Sequence, residues 1–293
     1  MRVGTEKKLA RKLAALLALC MLCATLAACG PDPTAAVEAR EAEEAMQQAQ
    51  EQARMTLRVG VKSTVKSFGF QDVMTGEFSG LEVDIAYLLA QSMGYDSVEL
   101  MSVHADERAR LLETGRLDCV IATFTVTQMR EETVDFSTPY YTDYTAVMVR
   151  ADSGIDGIAA LTGKKIAVQR GATAAAAIVE ELIRQGAIPA EAYDADNFDP
   201  ASWTEAVTFV VCADAAAADM ALREGDADAF STDQSILNSY LRAEDRLLPD
   251  HLMPQPYGVA TAEGSPLTAQ IDALMKGWQA DGTLEALCAK YGI

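Results

Sequence analysis

Positive charge, histidine and cysteine are all scarce along these 293 residues, and each scarcity removes a class of function. Lys and Arg number 24 against 43 Asp and Glu, a formal net charge of −19. A surface of that sign repels phosphate backbones and anionic headgroups, which argues against nucleic acid and acidic lipid as partners. The two histidines, His104 and His251, have no cysteine pair near them, so no metal site is expected and no cofactor is implied. Of the six cysteines, Cys20, Cys23 and Cys29 fall at the start of the chain. Cys119, Cys212 and Cys288 remain, an odd number that makes no disulfide framework. Cys119 and Cys288 stand in apolar runs and read as buried thiols. Long apolar runs are rare too: residues 13–28 form one, and its length is short for a membrane span. Apolar residues nonetheless make up 50% of the chain, interspersed with charge, which suits two globular domains with sizeable cores.

The apolar run sits behind Arg2, Lys7, Lys8, Arg11 and Lys12, and small residues close it. Charged start, short apolar middle and small-residue end make residues 1–28 a signal peptide. The closing Leu26-Ala27-Ala28-Cys29 resembles a bacterial lipobox. That resemblance implies cleavage before Cys29, diacylglycerol on its sulfur, and the lipid as the membrane anchor. Loss of residues 1–28 removes five basic side chains and one acidic, so the mature charge falls from −19 to −23. Any anionic ligand must then be held by a few local cations against the field of the whole molecule. Residues 29–55 are mostly Ala, Glu and Gln and read as a lipidated N-terminus and flexible tether.

From Thr56 short β runs alternate with helical patterns, the signature of an α/β fold with mainly parallel sheets. In a first block strands are predicted at 57–61, 97–101, 117–121 and 145–149, with helices near 81–93, 107–113 and 128–134. A second block begins near Ala151, with strands at 165–168, 208–211 and 227–231 and helices at 174–184, 213–224 and 234–242. Beyond Pro254-Gln-Pro256 come a strand at 257–261 and helices at 267–280 and 283–290. Residues 186–207, rich in Asp, Ala and Pro, read as a surface excursion. The chain thus divides into one lobe of residues 56–149 plus 256–293 and another of 150–255, with a cleft between them.

Polar residues gather where strands end, which is where ligands bind in folds of this class. The apolar strand before Ala122 breaks into spaced hydroxyls at Thr123, Thr125 and Thr127, and Arg130 follows in the next helical turn. Hydroxyls and an arginine at such a junction suit a small carboxylate, although Thr127 also reads as a plain helix cap. Lys62 follows the strand Leu57-Arg-Val-Gly-Val61, and Gly171-Ala172-Thr173 leads into an Ala-rich helix whose free N–H groups suit an anion. Asp233 ends Asp228-Ala-Phe-Ser-Thr-Asp233 and reads either as a helix cap or as a cleft carboxylate.

Taken in order, these pieces resemble the solute-binding proteins of polar amino-acid ABC transporters. Matching stretches include Val59-Gly60-Val61-Lys62, Phe68-Gly69-Phe70, Gly80-Leu-Glu-Val-Asp84 and Ala122-Thr-Phe-Thr-Val-Thr127 with Arg130. Asp135-Phe-Ser137 with Pro139-Tyr-Tyr141, Gly163-Lys-Lys-Ile166 and Tyr257-Gly258 match as well. The resemblance implies a two-lobed type II periplasmic-binding-protein fold, its two mainly parallel sheets joined by a two-strand hinge. It implies no enzyme activity, delivery of an amino acid to an ABC permease and its ATPase, a monomer, and an extracytoplasmic or periplasmic address on the membrane's outer face. Residue by residue, it gives the ligand's α-carboxylate to Arg130, Thr125 and Thr173, and the α-ammonium to Asp233 with main chain near Thr123. Arg108 matches an arginine of glutamate and aspartate binders, and Lys62 stands where some other members place an aspartate. Together they imply an acidic side chain on the ligand; glutamine or cystine binding, or a ligand sensor outside transport, are the alternatives. The chain departs from the family at Ser67, Val65, Ala105 and Gln128-Met129, and with fewer rings near the cleft it favours recognition by charge.

Overall fold

The computed structural model describes residues 55–293; the signal segment, Cys29 and most of the tether lie outside the described residues. Three strands form the parallel centre of the first sheet: β1 (Thr56–Val61), β5 (Ser97–Ser102) and β6 (Cys119–Ile121). Between β1 and β5 a small sheet of β2 (Thr64–Val65), β3 (Gly69–Gln71) and β4 (Phe78–Ser79) leads into helix α1 (Leu81–Met93). Helices α2 (Arg108–Glu113) and α3 (Gln128–Glu131) flank β6, and β7 (Val134–Phe136) follows. Leu57, Val59 and Val61 alternate along β1 and are wholly buried on one face, while Arg58 on the other pairs with Asp118 at 2.6 Å. α1 lays Leu81, Ile85 and Leu89 on that sheet and stops at Gly94, whose left-handed backbone returns its N–H to the last turn.

The second sheet is built on β8 (Tyr141–Arg150), β9 (Lys165–Gln169), β10 (Thr208–Cys212), β11 (Ala229–Asp233) and β12 (Asp245–Leu247). Helix α4 (Ala174–Arg184) follows β9, α5 (Ala215–Glu224) follows β10 and α6 (Gln234–Asn238) follows β11. The chain returns through β13 (Pro254–Tyr257) to β14 (Ala260–Ala262) in the first sheet and ends in α7 (Pro266–Ala280) and α8 (Thr283–Lys290). Strand orders are β5-β1-β6-β14-β7 and β10-β9-β11-β8-β12. In each, four strands run one way and one runs against them, β14 in the first sheet and β8 in the second.

Several expectations change: the helices foreseen at 128–134 and 234–242 stop at Glu131 and Asn238. The strand foreseen at 145–149 is the end of a longer one, and it pairs in the second sheet, Ala229↔Val149 to Asp233↔Thr145, not in the first. Its start, Tyr141 to Tyr144, pairs with β13, so the crossing between sheets lies there and ahead of residue 149. The break at Arg150-Ala151 marks where the strand stops, which says nothing about its partners. The strand foreseen at 257–261 is two, because the backbone turns at Gly258, where a Cβ would press on Phe136 and Val126 at 3.0 Å. The 186–207 excursion carries a small aromatic cluster of its own, with Tyr193, Phe198 and Trp203 packed edge to face against the second core. Cys119 and Cys212 are buried, whereas Cys288, expected to be buried, is partly exposed. No helix among the described residues is long and apolar enough to cross a membrane.

Candidate functional site

All seven residues singled out from the sequence for the ligand line one cavity between the two sheets, with about 250 Å³ of empty space. Topology explains the gathering: β1, β6, β9 and β11 all point their carboxyl ends at the gap. Lys62 follows β1, Thr123 and Thr125 follow β6, Thr173 precedes α4, and Asp233 is the last residue of β11. Arg108 opens α2, and Arg130 lies in α3.

Arg130 already spans the gap. Its Nη1 donates to the Thr125 carbonyl at 2.7 Å and its Nη2 to the Gly171 carbonyl at 2.9 Å, one on each side. The guanidinium has five donors, so most of its hydrogens remain for a ligand. Gly171 is there for two reasons: its φ of +73° favours glycine, and a Cβ would meet the Asp106 backbone at 2.8 Å. Beside it Arg170 approaches Asp106 at 3.8 Å, so the lobes touch at the rim.

Thr127 caps α3 by accepting the Arg130 N–H, as its position suggested. Neither Thr173 nor Asp233 caps a helix with its side chain, although each occupies the cap position. Their polar atoms are turned elsewhere. The Asp233 carboxylate is buried and accepts the Tyr257 hydroxyl at 2.7 Å. Burial raises its pKa to about 6 against the opposing pull of that hydrogen bond. Lys62 is buried and its ammonium donates to no described residue, and burial, reinforced by Arg108, lowers its pKa to about 7. Burial also lowers Arg108 to about 9 and Arg130 to about 10, and both remain charged at neutral pH.

Arg108 is more committed than the sequence suggested. Its Nε donates to the Ala105 carbonyl and its Nη1 to those of Ala122 and Thr123, while the plane lies 3.9 Å from the centroid of Phe124. Those bonds help hold Thr123 at φ 44°, a strained value for a residue with a Cβ. The Thr123 N–H is held from the other side by Glu82, which also accepts the Tyr140 hydroxyl. Burial raises Glu82 to about 7. Glu82 was overlooked because it sits in helix α1, far along the chain, although it lies inside the matching stretch Gly80-Leu-Glu-Val-Asp84. Gln169 and Ile236 also line the cavity, and Gln255 stands behind it; the only sign of Gln255 in the sequence is its place between two prolines.

The lining therefore sets three basic side chains, Lys62 and Arg108 buried and Arg130 half-buried, against one carboxylate, in a protein whose net charge is −19. Chemically such a lining can grip both charged ends of a small zwitterion.

Comparison with known proteins gives the family. The family model for bacterial extracellular solute-binding proteins, family 3, matches residues 57–293. The ABC transporter glutamine-binding protein GlnH of Bacillus subtilis is 29% identical over 240 residues, covering 79% of each chain. The L-cystine-binding protein TcyJ of Escherichia coli is 30% identical over 245 residues, covering 81% of this chain and 83% of that one. Among solved structures, an ancestral arginine-binding protein bound to arginine superposes with a TM-score of 0.68 at 28% identity, covering 82% of this chain and 99% of the other. Spanning essentially every described residue, the family match and the two-sheet architecture agree, and the chain belongs to the bacterial extracellular solute-binding proteins, family 3.

Proposed function

We propose that this protein binds a polar amino acid with an acidic side chain, glutamate or aspartate, and delivers it to an ABC permease driven by its ATPase, without catalysis of its own. The observation that carries the reading is the excess of basic side chains over carboxylates in the cavity lining, three to one. Arg130, Thr125, Thr173 and the N–H groups opening α4 take the α-carboxylate. Asp233 and the Thr123 carbonyl take the α-ammonium. Lys62 and the remaining Arg108 nitrogen, Nη2, take the side-chain carboxylate. Each charged end is one that the opposite side of the cavity repels, which fixes the ligand's direction.

A second reading is glutamine. Arg108 spends Nε and Nη1 on carbonyls, and Lys62 lies near neutrality in the empty cavity, so a side-chain amide is also accommodated. Isothermal titration with a panel of amino acids separates the two. Replacing the charge-assisted bond by a neutral one costs about 1.5–3 kcal/mol, so glutamate is expected to bind at least tenfold tighter than glutamine. Lys62→Met, which leaves the Arg108 bonds to Thr123 in place, should shrink that preference and leave the α-groups recognised. Glutamine or cystine binding as tightly as glutamate to the unaltered protein rules out the acidic reading.

For its location, we place the mature protein outside the cytoplasm as a monomer, tethered through 29–55 and lipid on Cys29. The motive is the lipobox-like Leu26-Ala27-Ala28-Cys29. Cys29→Ser is expected to leave the membrane fraction or retain its signal segment. A mature-sized Cys29→Ser band still in the membrane fraction contradicts the anchor.

A further inference from the structure

Gln255 lies on β13 with its side chain wholly buried, and none of the contacts assigned above to the ligand uses it. Its amide nevertheless holds hydroxyls from both lobes. Oε1 accepts from Thr125 Oγ1 and from Thr173 Oγ1, each at 2.7 Å. Nε2 donates to Thr145 Oγ1 at 2.9 Å and to the Met253 carbonyl at 3.1 Å. A carbonyl can only accept, which fixes the nitrogen on the Met253 side. Both threonine hydrogens are therefore spent on Oε1. Each hydroxyl has one hydrogen, so Thr125 and Thr173 show the cavity only lone pairs. Lone pairs repel a carboxylate, and these two hydroxyls must turn their hydrogens outward before they can help to bind one.

We propose that Gln255 is a positioning residue whose amide turns over when an α-carboxylate enters, converting Thr125 and Thr173 from donors to the hinge into donors to the ligand. The proposal rests on the amino-acid reading given above. The hydrogens balance. After the turn Nε2 gives one hydrogen to each threonine oxygen, and Oε1 takes the hydroxyl hydrogen of Thr145. The bond given up is the one to the Met253 carbonyl, and that carbonyl keeps the Thr145 N–H at 3.1 Å. The turn also brings Oε1 to the Met253 side, where two acceptor oxygens face each other, so the amide turns only when the freed threonine hydroxyls gain a carboxylate to bind. Thr125 follows β6 in the first sheet and Thr173 precedes α4 in the second, so one amide carries the arrival of the carboxylate to both lobes.

The test compares each amino acid with its own α-amide: L-glutamate with L-isoglutamine, and L-glutamine with L-glutaminamide. These pairs differ only at the group that the threonines are said to read. In the unaltered protein the acid is expected to bind far better than the amide. Gln255→Met, which fills the space without hydrogen bonding, should cut that preference about tenfold, chiefly through a weaker acid. The glutamate-over-glutamine ratio should not move, since Lys62 and Arg108 are untouched. The change should vanish when Thr125→Val and Thr173→Val are already present. Proton magnetic resonance gives a second readout independent of the variants: contacts from the Gln255 Nε2 hydrogens to the Thr125 and Thr173 methyls should strengthen on adding the acid. An acid-over-amide preference that survives Gln255→Met, or Nε2 contacts that do not move, overturns the amide turn while leaving the amino-acid reading intact. Failure of both acids to bind the unaltered protein overturns that reading and the turn together.

Discussion

Arg130 and Asp233 face each other across the cavity as its two most informative side chains. Truncating one partner of a desolvated charge pair costs roughly 2–5 kcal/mol, or about 30-fold to several thousand-fold in affinity. Arg130→Ala and Asp233→Ala are each expected to abolish micromolar binding in a calorimetric titration without lowering far-ultraviolet helicity. The pH profile is a sharper probe. An incoming ammonium lowers the pKa of Asp233 from about 6, so binding through it is complete above that value and is lost as pH falls below it. An anionic side chain raises the pKa of Lys62 from about 7, so its contribution is complete below that value and fades as pH rises above it. Glutamate should therefore bind best between about 6 and 7, declining on both sides, while glutamine should decline only on the acid side. A flat alkaline limb for glutamate, measured by titration calorimetry, removes Lys62 from the site. Lys62, Thr123, Thr125, Thr173 and Asp233 could be found in the sequence because they stand at or just past strand ends, and Arg130 because it falls in the helical turn that follows; Arg108 came from the resemblance alone. Glu82 and Gln255 could not, since their partners, Thr123 and the pair Thr125 and Thr173, are remote in sequence and the bonds exist only after folding.

The segments that were easiest to read are those with an internal signature. Helices 81–93, 174–184 and 283–290 were placed to the residue because Gly94, Thr173 and the periodic apolar positions mark their ends. The hinge was harder. β8 looks like any apolar strand, and only its pairing shows that one end belongs with β13 and the other with β11. The short loop before α4 carries the strongest prediction at this level. Alanine at Gly171 is strained by the positive φ, at about 1–2 kcal/mol, and its Cβ collides with the Asp106 backbone across the cleft. Gly171→Ala should weaken ligand binding tenfold or more, and small-angle scattering should show that ligand no longer shrinks the particle. Unchanged affinity would mean that the rim contact between Gly171 and Asp106 plays no part in closure.

Across the whole molecule the cationic cavity is embedded in a strongly acidic body. Distant charges act through water over about a Debye length, roughly 10 Å at 0.1 M salt, whereas contacts inside the cavity are screened far less. An acidic amino acid is therefore slowed on approach and held on arrival. Stopped-flow association of glutamate should accelerate between about 10 and 150 mM salt, while that of glutamine should barely change. A glutamate rate that falls with salt would show that local cations dominate the approach as well. Finally, β8 and β13 cross between the lobes side by side, hydrogen-bonded from Tyr141↔Tyr257 to Pro254↔Tyr144. A bonded strand pair bends readily about one axis and poorly about others, so opening and closing form a single motion. On the proposed reading, a permease meeting the outer faces of the lobes would receive a yes-or-no message. It learns that the cleft is full, and the identity of the cargo stays private to the cavity.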